Sequence, residues 1–159
     1  MSIQVGDTLP DAEIRVVRQG IEEVHTDALF KGRKTLLFAV PGAFTPTCSN
    51  RHLPGYVQHF AELQRRGIDV LCLAVNDAYV MQAWAASQNV PEGLVMLADG
   101  NGNFTRAMGL ELDGSAYGMG LRARRFALYA EDGVVKILHI EAPGEFRVST
   151  AEAMLEAIG

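Results

Sequence analysis

Apolar residues change rhythm along this chain, and the changes outline its elements. Ile14–Val17 and Glu22–His25 flank Arg18-Gln19-Gly20 and predict an N-terminal hairpin around a glycine turn. Lys34–Val40 holds an unbroken apolar run from Leu36 to Val40, the mark of a strand covered on both faces. After Pro41-Gly42 the apolar positions become Leu53, Tyr56, Val57, Phe60 and Leu63. They form one face of a helix that stops at Arg65-Arg66-Gly67. Val70–Val75 predicts a second buried strand, and Asn76-Asp77 supplies caps for a helix over Ala78–Gln88. Leu94–Ala98 predicts a third strand, closed by Asp99-Gly100-Asn101-Gly102, and a short helix around Phe104–Met108 ends at Gly109. Phe126–Ala130 and Val134–Ile140 read as a hairpin about Glu131-Asp132-Gly133. Ser149 with Glu152 is a capping box opening a last helix through Ile158.

This order predicts an α/β fold with a mixed central sheet, helices on both faces and an N-terminal β-hairpin extension. An antiparallel hairpin after βαβ units is what a thioredoxin-like sheet requires. No repeat, low-complexity tract or linker interrupts the 159 residues, so a single domain over 1–159 is expected. The net charge of −5 and the lack of a basic block argue against nucleic acid and against a polybasic membrane patch. The longest apolar run falls far short of the roughly 20 residues that cross a bilayer. With no export signal at Met1–Pro10 and only Cys48 and Cys72 for thiols, a reducing, cytoplasmic setting is expected. Two cysteines make neither a disulfide scaffold nor a thiolate zinc cage. His25, His59 and His139 show no ligand spacing, so no metal is expected.

The chemistry concentrates where the first buried strand meets its helix, at Pro41-Gly42-Ala43-Phe44-Thr45-Pro46-Thr47-Cys48-Ser49-Asn50. Sites in open α/β sheets lie at such carboxyl ends. A thiol in the first turn of a helix meets unpaired N–H groups and the positive end of the macrodipole, which favour the nucleophilic thiolate. Pro41 and Pro46 stiffen the approach. Thr45 stands where its hydroxyl could accept from an incoming O–H and donate to the sulfur. Taken singly these residues read as a packing cysteine, a cap and loop prolines; their joint spacing reverses that.

Pro41-x-x-x-Thr45-x-x-Cys48 resembles the active-site motif of the peroxiredoxins. The longer string through His52-Leu53-Pro54-Gly55-Tyr56 resembles their type-II, or type-five-like, branch. The resemblance extends to Val5-Gly6-Asp7, to Leu73-Ala74-Val75-Asn76-Asp77 and from Arg125-Phe126 to Asp132-Gly133, covering most of the chain. It implies a thiol peroxidase that needs no metal, haem or flavin and serves antioxidant defence. Its substrates would be hydrogen peroxide and small alkyl hydroperoxides. Cys48 would be the peroxidatic nucleophile, Thr45 would bind peroxide and sulfur, Pro41 would shield the site, and Arg125 would contact the thiolate. A guanidinium suits that task, because it offers a fixed fork of donors and keeps its charge. Arg122, Arg124 and Arg125 lie together, and at least one of them is expected to be merely solvated.

Cys72 lies mid-strand in Val70–Val75 and reads as a small packing hydrophobe. A resolving role for it would need sulfur geometry that the spacing does not supply. The stretch Glu141–Thr150, where some relatives carry a resolving cysteine, has none. An external thiol is therefore expected to recycle Cys48: glutathione with glutaredoxin first, thioredoxin second. His52 shares a helical face with Cys48, but its imidazole is expected to point up the helix rather than into the site, making it a local neighbour that supports the site or a surface residue. The resemblance also implies a homodimer, for which Phe44 and Gly118–Gly120 are candidate interface. The rivals are a thiol reductase or glutathione-dependent transferase on the same fold, and a non-enzymatic redox sensor using Cys48. Absence of a CxxC pair counts against the reductase.

Overall fold

A computed structural model describes residues 1–159. β1 (Glu13–Val17) and β2 (Ile21–His25) form the expected hairpin, and a one-turn helix, α1 (Asp27–Phe30), follows. β3 (Lys34–Ala39) leads through the site segment to α2 (Leu53–Arg65), then to β4 (Ile68–Ala74), α3 (Ala78–Ser87) and β5 (Val95–Ala98). After α4 (Asn103–Met108), two three-residue strands, β6 (Glu111–Asp113) and β7 (Leu121–Ala123), pair with each other. β8 (Phe126–Glu131) and β9 (Val134–Ile140) make the second large hairpin, and α5 (Ala151–Ile158) ends the chain.

The main sheet has seven strands in the order β2-β1-β5-β4-β3-β8-β9. β3, β4 and β5 run parallel, while β1 and β8 join them antiparallel, so this is the mixed, thioredoxin-like sheet. The N-terminal hairpin docks through β1 on β5 and becomes the edge of the sheet.

Period-two alternation divides the strands between two cores. Leu36, Phe38, Val70, Cys72 and Ala74 face one core with Tyr56 and Phe60 of α2, Met81 and Trp84 of α3, and Met154 of α5. Leu37, Ala39, Leu71 and Leu73 face the other, with Phe30, Phe104 and Met108. Burying each such large apolar side chain contributes about 1.5–3 kcal/mol. The strands that carry the site are therefore its firmest part.

Two local readings are corrected. α5 is capped by Thr150, whose side chain accepts from Ala153 N–H at 3.0 Å. Ser149 instead turns inward, because the buried Glu141 carboxylate takes both its N–H and its hydroxyl. The predicted amphipathic helix after Pro41-Gly42 is preceded by a π-helical turn over Cys48–His52, in which Leu53 N–H donates to the Cys48 carbonyl. Pro54, the second residue of α2, lacks the N–H that a regular turn would use there.

Candidate active site

β3 delivers Val40-Pro41-Gly42 to the carboxyl edge of the sheet. Gly42 allows the chain to close tightly: a Cβ there would sit 3.0 Å from Arg122 Nη1 and 3.2 Å from Thr45 Cγ2. Ala43 N–H donates to Asn76 Oδ1 at 2.9 Å, tying this loop to the end of β4. Phe44 adopts the left-handed region, φ 63°, and is 56% exposed. Such backbone strain persists only where the surroundings enforce it. Helical bonding starts at the Thr45 carbonyl, which accepts from Ser49 N–H at 2.9 Å. Pro46 occupies the first turn, where its missing N–H costs nothing.

Cys48 is 0% exposed. Its sulfur accepts from Arg125 Nη2 at 3.1 Å. Arg125 just precedes β8 and continues the alternation of Ala127 and Tyr129, which aims it at the core holding Cys48. Arg122 is engaged elsewhere, donating from Nε to the Met119 carbonyl at 2.9 Å and from Nη1 to the Pro41 carbonyl at 3.5 Å. Of the three clustered arginines, one meets the sulfur and one braces the Pro41 loop.

His52 is fully buried and its ring meets Arg125, which rules out the surface alternative and corrects the expectation that the ring points away from the site. Arg125 Nη1 lies 2.8 Å from His52 Nδ1, and His52 Nε2 lies 3.0 Å from the Ser149 carbonyl. An arginine only donates and a carbonyl only accepts, so Nε2 carries the proton and Nδ1 accepts. Burial lowers the His52 pKa to about 3; the Arg125 charge adds to this and the Ser149 carbonyl opposes it. The rings of Phe38, Phe146 and Tyr56 enclose the imidazole, with centroids 5.1, 5.0 and 5.6 Å away. The sequence left a supporting role for His52 open beside the surface one but did not reveal its contact with Arg125; a histidine on the apolar row leading into α2, one turn before Tyr56, was the signal for burial.

Thr45 departs from expectation in one respect. Its hydroxyl donates to the Gly42 carbonyl at 2.6 Å rather than to the sulfur, leaving its lone pairs as acceptors. A cavity of about 380 Å3 adjoins the site, lined among others by Pro41, Thr47, Arg51, Arg125, Glu141 and Phe146. Cys72 lies on the same core as Cys48, and both are free thiols. Burial pushes the Cys72 thiol well up, and the neighbouring Cys48 adds to that rise.

A thioredoxin-like sheet carrying one buried cysteine under a guanidinium, in place of a CxxC pair, defines a thiol-based redox enzyme. The Redoxin family model matches residues 4–155. Peroxiredoxin-2E, chloroplastic, of Arabidopsis thaliana is 48% identical over 99% of this chain and 70% of its own length. Reduced Prx3 of Vibrio vulnificus, solved in complex with hydrogen peroxide, superposes with a TM-score of 0.92 at 47% identity over 99% of both chains. The chain belongs to the peroxiredoxins, in their type-II branch, and is a thiol-dependent peroxidase. The non-enzymatic sensor therefore gives way to an enzyme.

These comparisons also correct the expected cytoplasmic setting. Peroxiredoxin-2E is chloroplastic by name, and Peroxiredoxin-2F of Arabidopsis thaliana, 39% identical over 82% of this chain and 66% of its own length, is mitochondrial. Two free cysteines do not single out the cytoplasm.

Proposed function

We propose that Cys48 is the peroxidatic nucleophile, with Arg125, Thr45 and Pro41 as its catalytic partners. The observation that carries this reading is the 3.1 Å contact from Arg125 Nη2 to Cys48 Sγ. The thiolate attacks the terminal oxygen of a hydroperoxide; an S–O bond forms as the O–O bond breaks, leaving Cys48 sulfenic acid. The departing alkoxide or hydroxide takes a proton and leaves as alcohol or water. Arg125 holds the sulfur's negative charge before attack and stabilises the oxygen on which charge develops. The Thr45 hydroxyl, its own proton on the Gly42 carbonyl, accepts from the peroxide O–H and aligns the O–O axis with the sulfur. Pro41 lines the entrance and limits water. Hydrogen peroxide and small alkyl hydroperoxides are the substrates that fit a sulfur with no exposed surface.

An external thiol restores the enzyme. It condenses with the sulfenic acid, releasing water and forming a mixed disulfide, and a second thiol then frees Cys48. Glutathione with glutaredoxin is the favoured reductant, and thioredoxin is the alternative. The raised thiol of Cys72, fixed mid-strand in β4, supports a packing role for that residue. Because Cys48 is buried, a reductant of either kind needs the Cys48–His52 turn to open. Residues 1–159 act as one domain, and the chain pairs as a homodimer, a reading supported by the exposed, strained Phe44. Sedimentation showing only monomer would remove that last point.

The deciding assay follows peroxide consumption with glutathione plus glutaredoxin against thioredoxin plus its reductase. It compares the native chain with Cys48→Ser and Cys72→Ser. Cys48→Ser is expected to be inactive, and turnover by that variant overturns the assignment.

A further inference from the structure

The site described so far leaves unused a buried carboxylate on the segment between β9 and α5. Glu141 lies within the fold beside Phe146, and its Oε2 accepts from three donors: Arg147 N–H at 2.7 Å, Ser149 N–H at 2.9 Å and Ser149 Oγ–H at 2.7 Å. These bonds anchor Ser149 through its N–H and side chain. Its carbonyl accepts from Tyr56 O–H at 2.7 Å and from His52 Nε2–H at 3.0 Å. Holding the proton on Nε2 leaves the Nδ1 lone pair to receive Arg125 Nη1 at 2.8 Å, while Nη2 of the same guanidinium reaches the sulfur at 3.1 Å. Glu141 also grips Arg125 from behind, since its backbone N–H donates to the Arg125 carbonyl at 3.0 Å.

We propose that Glu141 is a positioning residue for the reaction, aiming the Arg125 guanidinium at Cys48 through the Ser149 carbonyl and His52. A guanidinium presents its donors in a rigid planar fork, so binding one prong sets the direction of the other. His52 binds one prong, and the tautomer that lets it do so is dictated by Ser149. Glu141 anchors Ser149 by its N–H and hydroxyl, and the carbonyl of that anchored residue faces His52 and Tyr56. Burial would raise the Glu141 carboxyl, yet the Ser149 and Arg147 donors outweigh it and hold the group below its usual range, so it accepts as a carboxylate at neutral pH. The loop after β9 thus reaches the sulfur without touching substrate. The inference rests on the reading of Arg125 as the partner of the Cys48 thiolate.

Glu141→Gln keeps the shape but offers the three donors a weaker, uncharged acceptor, with its NH2 at the position of Oε1, which has no hydrogen-bond partner. It should lower kcat/KM for hydrogen peroxide roughly tenfold and move the alkylation profile of Cys48 toward higher pH, at unchanged KM for the reductant. In a His52→Leu background the same change should have almost no further effect, because the route has already been cut. An equal loss in both backgrounds, or a native rate and pH profile in Glu141→Gln, overturns the proposal. Should His52→Leu not fold, ring-nitrogen shifts of His52 decide. Departure from the Nε2–H state in Glu141→Gln supports the route, and an unchanged ring overturns it. Arg125→Ala separates the two levels. If it keeps native peroxidase activity, the Cys48–Arg125 reading itself fails; if it is inactive while Glu141→Gln is native, only the role of Glu141 fails.

Discussion

The indole N–H of Trp84 donates to Ser49 Oγ at 3.0 Å, joining the middle of α3 to the residue that follows Cys48. Trp84 is the chain's one tryptophan and is fully buried. Any opening of the Cys48–His52 turn pulls Ser49 away and changes the surroundings of that indole. Stoichiometric hydrogen peroxide is therefore expected to change Trp84 fluorescence in the native chain, with no change in Cys48→Ser. Identical traces for the two proteins would separate the turn from the redox state.

Replacing Arg125 by lysine tests whether charge alone suffices. An ammonium on a flexible stem cannot reproduce two N–H bonds in fixed directions, one to sulfur and one to His52 Nδ1. Arg125→Lys is expected to lose about 10- to 100-fold in kcat/KM for peroxide, and Arg125→Ala about 100- to 1,000-fold. Stopped-flow peroxide consumption gives both numbers. A lysine variant at the native rate would show that direction is unimportant.

Acid should loosen the fold through His52. Its folded pKa is lowered to about 3 from an ordinary 6.5, so between those values the unfolded chain binds a proton that the native one refuses. Stability is then fully present above pH 6.5 and falls as pH drops toward 3. The slope approaches about 1.4 kcal/mol per pH unit for this one group. Urea melts at pH 7 and pH 5 should show the native chain losing more than His52→Leu does. Equal losses would assign the acid sensitivity to other groups.

Cys72→Ser should retain peroxidase activity with an external thiol. It should also cost about 1–3 kcal/mol of stability, because a hydroxyl replaces a packed sulfur in an apolar core. Thermal melts and the same peroxide assay measure both. Loss of turnover with the enzyme arrested as sulfenic acid would instead make Cys72 a resolving cysteine.

Cys48 and Thr45 could be singled out because their signal is contiguous, the eight residues Pro41–Cys48 set between a buried run and an amphipathic one. β3, β4, β8 and β9 were legible as runs of apolar side chains, since each carries enough residues to state its period. His52 was not, because its partners, Arg125 and Ser149, stand 73 and 97 residues further along the chain. Ser149 and Thr150 both offer a capping hydroxyl, and what chooses between them is Glu141, a tertiary neighbour that local sequence does not reveal. β6 and β7 are three residues each, and β6 is wholly exposed, too little for any pattern to emerge.

The complete enclosure of Cys48 has a consequence for covalent inhibitors. A warhead bulkier than the substrate has no path to the sulfur in the closed form, so its observed potency measures how often the turn opens rather than how reactive the electrophile is. Ranking such compounds by intrinsic electrophilicity would mislead. The useful leads are those that recognise the opened turn, or that are as small as a peroxide.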